Sequence, residues 1–241
     1  MSVSIDIENI SKSFGKKVVL NQINLKIEEG RIYGFIGPSG AGKTTLVKMI
    51  VGMDRPDSGT IHVLNKKVPN LQLLQEIGYM AQSDALYTEL TGKENLQFFA
   101  SLFRLKRAEI KDRIAYAADL VNITDDLNKK VSAYSGGMKR RLSLAIALIQ
   151  NPKILILDEP TVGIDPELRL SIWNELLRLK TEEGKTIIVT THVMDEAEKC
   201  DFIAMVRDGV ILASGTPAEL KDYYQADSFD EVFLNAGRAR Q

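Results

Sequence analysis

The stretch "GPSGAGKTTL", residues 37–46, sets three glycines, a lysine and two threonines between the apolar run "IYGFI" and a segment of helical spacing. Gly37, Gly42, Lys43 and Thr44 satisfy the phosphate-loop pattern G-x-x-x-x-G-K-[ST]. Backbone without side chains can turn successive N–H groups onto phosphate oxygens, so Gly37, Pro38, Ser39, Gly40, Ala41 and Gly42 read as a phosphate cradle. The N-terminus of the following helix adds its partial positive charge. In this pattern Lys43 reaches the β and γ phosphates, Thr44 sets its hydroxyl on Mg²⁺ and Thr45 contacts the α phosphate. The rival dinucleotide pattern G-x-G-x-x-G fails, because Thr45 stands where its third glycine belongs. The residues point to a bound nucleoside triphosphate.

Holding phosphate is not hydrolysing it; that needs a carboxylate for the metal and a group that orients water. "ILILDEP" supplies two candidates, Asp158 and Glu159, at the carboxyl end of an aliphatic strand, where open α/β sheets place ligands. Asp158 is expected to hold Mg²⁺ through its water shell. Glu159, one residue on and pointing the other way, is expected to take a proton from the attacking water.

Several elements must position these groups. Val3, Ile5 and Ile7 alternate with Ser4, Asp6 and Glu8, the period of a half-buried strand, and "NQINLKIEEG" reads as a second strand. Leu46, Met49, Ile50 and Met53 recur at helical spacing until "DRPDSG", and "GTIHVLN" and "EIGYMA" read as further strands. Thr91 with Glu94 forms a capping box that opens a helical insertion reaching to about residue 150. "KILILDEP" and "KTIIVTTH" are continuous apolar runs, expected as parallel strands buried on both faces. Between them a helix opens at Asp165 and Pro166 and closes at Gly184. "FIAMVRDGVILASG" reads as a hairpin through Asp208 and Gly209, Thr216 and Glu219 start a last helix, and the tail beyond about 225 carries no assignment.

Composition narrows the partners. Lys and Arg number 31 against 32 Asp and Glu, a formal charge of -1, which gives no global basic field and argues against nucleic acid as a partner. One cysteine, Cys200, forbids an intramolecular disulfide and fits a reducing compartment. No stretch reaches the ~18 uninterrupted apolar residues of a membrane span, and the start "MSVSIDIENI" has a strand's pattern, not a signal peptide's; the chain reads as soluble.

The run "YSGGMKRRLSLAIALIQNPKILILDEPTVGIDP" resembles the nucleotide-binding subunits of ATP-binding cassette (ABC) transporters, over residues 1 to about 220. "SGGMKRR" with "THVMDEAEKCD" is similar to bacterial drug-resistance type exporter ATPases, whose permease is a separate chain. The resemblance implies an α/β P-loop NTPase with a RecA-like, mostly parallel core, an antiparallel N-terminal β subdomain and an inserted helical subdomain. The core then takes residues 1–82 and 151–220, the helical subdomain about 83–150 and the tail 221–241. Ser135, Gly136 and Gly137 become the signature motif that touches the γ phosphate of a nucleotide held by a second subunit. Local chemistry agrees, since Ser135 can cap a helix start that offers a second anion-binding end.

Gln82 resembles the residue that touches Mg²⁺ and relays nucleotide state to the permease, and His192 the histidine on the γ phosphate. Asp165 resembles an aspartate at the dimer interface and is equally a plain helix cap; Phe14 resembles the aromatic on adenine, with a core phenylalanine as the rival. Tyr134 and Met138 depart from the family's leucine and glutamine, and Met138 cannot make a glutamine's side-chain hydrogen bonds. Lys139, Arg140 and Arg141 read as a solvated face, and His62, Cys200 and Trp173 as structural. The implied protein is an ATPase, using ATP and Mg²⁺, that pairs head to tail with a second copy and drives a permease from the cytoplasmic face of the cell membrane, an exporter by its subfamily. Leu86 and Tyr87 are the expected permease contacts.

Other classes with the same signature fit less well. A chromosome-maintenance ATPase inserts a long coiled coil between loop and signature, whereas Thr44 and Ser135 are 91 positions apart with no sustained heptads. A ribosome-associated factor usually carries two cassettes, a regulatory GTPase needs N-K-x-D, and a module that only binds would lack Glu159.

Overall fold

A computed structural model describes residues 2–83, 85–103 and 105–239. The chain forms two compact units, one made of the chain up to Leu73 and from Thr186 on, the other of Leu74–Lys185.

The first unit begins β1 (Val3–Phe14), β2 (Lys17–Glu28), β3 (Ile32–Ile36), α1 (Lys43–Ile50), β4 (Ser58–Val63) and β5 (Lys66–Lys67). The second runs β6 (Ile77–Met80), α2 (Gly92–Leu102), α3 (Arg107–Leu120), α4 (Gly136–Leu148), β7 (Ile154–Asp158) and α5 (Pro166–Glu183). The chain then returns to the first unit with β8 (Thr186–Thr191), β9 (Phe202–Arg207), β10 (Val210–Gly215), α6 (Pro217–Tyr224) and α7 (Phe229–Arg238).

In the first unit an antiparallel sheet of order β2-β1-β4-β5 stands beside strands of order β10-β9-β3-β8, in which β9, β3 and β8 are parallel and β10 pairs antiparallel with β9. The alternation expected of β1 appears as buried Ile5 and Ile7 against half-buried Asp6 and exposed Glu8. Ser4 breaks the rule: it is buried, with its hydroxyl in a 3.1 Å hydrogen bond to that of Thr186, which removes the cost of an unmade polar group. β3 and β8 are buried along their whole length, as continuous apolar runs require of parallel strands.

In the second unit β6 and β7 pair in parallel, from Ile77 opposite Ile154 to Met80 opposite Leu157. Helix α4 packs on β6 and against α2 and α3, and buries Leu142, Leu144, Ala145 and Leu148. Trp173 on α5 is also core, as expected. Burial of each large apolar side chain contributes about 1.5–3 kcal/mol, which outweighs the helix propensity of the same residues.

Local signals set most ends. Thr91 accepts from Glu94 N while the Glu94 carboxylate accepts from Thr91 N, a complete capping box on α2. Asp165 caps α5, Pro166 opens it and Gly184, at φ 63°, closes it. Asp208 and Gly209 take φ of 50° and 75°, the two-residue turn that matches strand twist. Three expectations change. Helix α1 stops at Ile50, because Gly52 (φ 79°) turns the chain, and Met53 is exposed outside it. Strand β2 starts at Lys17, earlier than "NQINLKIEEG", because Gly15 closes a tight turn directly after Phe14. The unassigned tail holds α7, capped by Ser228 and anchored by buried Phe229, Val232 and Ala236.

Candidate functional site

In the first unit the phosphate loop leaves β3 and enters α1. Its glycines have different reasons. A Cβ at Gly37 would lie 2.0 Å from Val206 O, and one at Gly42 (φ 109°) would lie 2.7 Å from Leu20 Cδ2 and 2.9 Å from Val19 O. Both positions are demanded by the protein's own strands, whereas Gly40 has open space around it and needs glycine only for its φ of 80°. Gly209 N donates to Ala41 O at 3.2 Å, and Asn21 N donates to Gly209 O at 2.8 Å, so the β9–β10 turn clamps the loop to β2. Lys43 is buried and donates from Nζ to the carbonyls of Gly37 (2.7 Å) and Pro38 (3.0 Å), which bends it back over the loop. The first helical bond is Leu46 N to Gly42 O. The N–H groups of Thr44 and Thr45 therefore precede the helical ladder, at a helix start whose dipole favours an anion.

His192 is exposed and directly follows Thr191, whose carbonyl accepts from Gly37 N at 3.4 Å. The structure thus brings His192 beside the start of the loop. Phe14 is 54% exposed, with Lys12 Nζ 5.2 Å from its ring centroid, which removes the core reading and leaves an aromatic face accessible.

In the second unit Asp158 ends β7 with no exposed surface, and Glu159 follows at φ 54°. A glutamate in the left-handed region is strained, and such strain persists only where the surroundings over-determine it. Gln82, exposed just past β6, donates from Nε2 to Glu159 Oε2 at 3.3 Å. The strand pair therefore brings together two of the expected site residues from 77 positions apart. Burial pushes the phenol of nearby Tyr79 up to about 12, and the charge of Asp158 adds to the shift.

One residue of the charged run at the start of α4, Arg140, departs from the expected solvated face. Arg140 is buried and its guanidinium spans both strand ends: Nη1 donates to Ala81 O (2.8 Å) and Gln82 O (2.9 Å), Nη2 to the carbonyls of Asp158 and Glu159. A buried guanidinium must have its donors met, and four carbonyls at the strand ends meet those of its two amino groups. Arg141 instead donates to Asn122 O at 2.9 Å.

Ser135 caps α4, its hydroxyl accepting from Met138 N at 3.2 Å. Ser135 and Gly136 are exposed, and a Cβ at Gly136 would meet nothing within 4 Å. Gly137 meets only Gly163 O, at 3.6 Å. The fold itself asks for neither glycine. Tyr134 is buried with its hydroxyl donating to Asp126 O at 2.8 Å, and a Cβ at Gly92 would clash with that hydroxyl at 2.2 Å. The tyrosine is thereby explained as a strut under the helix start. Asp165 accepts from Leu168 N at 2.9 Å, its plain capping duty.

Mg²⁺ takes hard oxygen donors, and each residue expected at it carries one: the hydroxyl of Thr44 in the first unit, and the amide oxygen of Gln82 and the carboxylate of Asp158 in the second. Among the described residues no group of three His, Cys, Asp or Glu forms a closed metal cage. Donors of this kind suit an ion that also takes phosphate oxygens and water. No helix among the described residues is long and apolar enough to cross a membrane.

A family model described as "ABC transporter" matches residues 20–162. The Nod factor export ATP-binding protein I of Rhizobium meliloti (strain 1021) is 43% identical over 224 residues, 92% of this chain and 67% of that protein. The protein of the same name from Burkholderia orbicola (strain AU 1054) is 41% identical, over 91% of this chain and 73% of its own. Among solved structures, an ATP binding subunit of an ABC transporter superposes with a TM-score of 0.89 at 25% identity, over 97% of this chain and 99% of that one. A dimeric ATP-binding cassette in a post-hydrolysis state, bound to ADP and Pi, does so at 0.82 and 28% identity, over 88% and 98%. These likenesses bear out the α/β P-loop NTPase fold.

Proposed function

The chain belongs to the ABC transporter family, as an ATP-binding subunit that hydrolyses ATP, and from that premise we propose that it drives export through a separate transmembrane permease as half of a head-to-tail dimer. One observation carries the dimer: Gly136, at an exposed and capped helix start, is a glycine for which the chain has no use of its own. A glycine there leaves room for something outside the chain, and a capped helix start favours an anion.

In this reading the loop Gly37–Gly42 and Lys43 hold the phosphates, Thr45 touches the α phosphate and Phe14 stacks on adenine. Thr44, Gln82 and Asp158 hold Mg²⁺, which neutralises phosphate charge when bound. Glu159 accepts a proton from the attacking water, and the Gln82 amide holds its carboxylate in place. His192 reaches the γ phosphate. Ser135, Gly136 and Gly137 close over the γ phosphate bound by the partner, and Asp165, beyond its capping role, lies at the shared interface. Such an isologous pair has two equivalent sites. Nucleotide closes the pair, hydrolysis reopens it, and the permease follows at the cytoplasmic face of the membrane. The export names of the related Nod factor proteins support the direction of transport.

Leu86 and Tyr87 are the proposed permease contacts; Tyr87 is 48% exposed, and its ring packs edge-on against Phe98 with centroids 4.8 Å apart. In membrane vesicles holding the permease, Tyr87→Glu should abolish transport while ATP binding persists. Loss of ATP binding in that variant would overturn the assignment.

A further inference from the structure

Arg140 lies five residues past Ser135 on the signature helix, and its guanidinium is planar and rigid. One amino group takes the carbonyls that end β6, at Ala81 and Gln82; the other takes those that end β7, at Asp158 and Glu159. Gln82 then returns through its side chain to Glu159 Oε2 at 3.3 Å, which closes a ring of groups around the strained glutamate. Helix α4, the exit of β6 and the exit of β7 are thus fastened at one point. A left-handed glutamate needs such a fastening, because its own preference is to relax.

We propose that Arg140 is a positioning residue for hydrolysis: through the carbonyls of Gln82 and Glu159 it holds the carboxylate of Glu159 in the geometry that takes the proton from water, and it ties that geometry to the position of the signature helix. This rests on the reading of Glu159 as the proton acceptor. A lysine cannot replace it, because an ammonium is a point charge and cannot span two strand ends with a fixed fork. Arg140 touches no phosphate in this scheme, so nucleotide affinity does not depend on it.

The test measures ATP turnover of the full chain as wild type, Arg140→Met, Arg140→Lys, Arg140→Ala and Glu159→Gln. Arg140→Met should lose about 10²-fold in kcat with KM for ATP within about threefold, the cost of a misplaced catalytic group. Arg140→Lys should lose about tenfold in kcat and keep its KM. Millimolar guanidinium should restore part of the Arg140→Ala activity and leave the wild type unchanged. If Arg140→Met fails to fold, the lysine variant decides, since it keeps the charge and most of the stem. A kcat near wild type in a folded Arg140 variant, or a loss confined to KM, overturns the proposal while Glu159→Gln remains inactive. An active Glu159→Gln would instead overturn the reading on which it rests.

Discussion

Alanine at Gly136 and at Gly37 should have opposite effects on stability and the same effect on activity. Gly136 has helical backbone, and nothing lies within 4 Å of its added Cβ. Replacing such a glycine restricts the unfolded chain and favours the helix, a gain of about 0.4–1 kcal/mol. For a domain of this size that raises Tm by about 1–4 °C. At Gly37 the Cβ would lie 2.0 Å from Val206 O, so β9 or the loop must shift. Overpacking of that kind costs about 1–3 kcal/mol, which lowers Tm by about 2–12 °C. The assay is thermal melting without nucleotide, followed by ATP turnover of each variant. Turnover should fall by about 10²-fold in Gly136→Ala despite its higher Tm, because the methyl occupies room that the partner's γ phosphate requires. A stabilised Gly136→Ala with wild-type turnover would refute the argument that this glycine serves an outside ligand. A destabilised one would mean that the space beside Gly136 is not open.

Thr91→Ala should cost about 1 kcal/mol by removing the cap of α2, read as a lower Tm near neutral pH. The Glu94 carboxyl is held below its ordinary 4.5 by the Thr91 N–H and hydroxyl, so its share of stability is present above about pH 4.5 and is lost as pH falls through the lowered value; the Tm gap between wild type and Glu94→Gln should therefore close in acid. Cys200 is buried and its thiol is pushed up by burial, so iodoacetamide should leave it unlabelled in the folded protein and label it in denaturant, as mass spectrometry would show.

Where a structural decision is local, the sequence carried it. Asp165, Pro166 and Gly184 bracket α5, Thr91 with Glu94 opens α2, and Asp208 with Gly209 turns the hairpin. Each works through its own backbone and its nearest neighbours, so no partner far along the chain needs to be known. Helix α7 was equally available, since Phe229, Val232 and Ala236 repeat at helical spacing behind Ser228. Arg140 was not. In "MKRR" its charge resembles that of its neighbours, and only the folded unit shows two strand ends lying beneath it. The stretch Leu142–Ile149, apolar but for Ser143, leaves little of α4 for solvent and was the one available signal that a charge near its start needs a buried partner. The loop's glycines show the same limit. Their pattern announces a phosphate site, but that Val206 and Val19 also forbid side chains at Gly37 and Gly42 is a fact of packing between distant strands. Gln82 and Phe14 stand between these cases: each is legible only by resemblance, and the fold then gives Gln82 its bond to Glu159 and Phe14 its exposed ring.

The most direct measurement is the solution mass of Glu159→Gln with and without ATP, beside the ATP turnover of the wild type. Glutamine keeps the shape of the side chain but cannot take the proton, so the account predicts an inactive variant whose mass doubles only when ATP is present. A Glu159→Gln that turns over ATP like the wild type, or that binds ATP and stays monomeric even with the permease supplied, would contradict it.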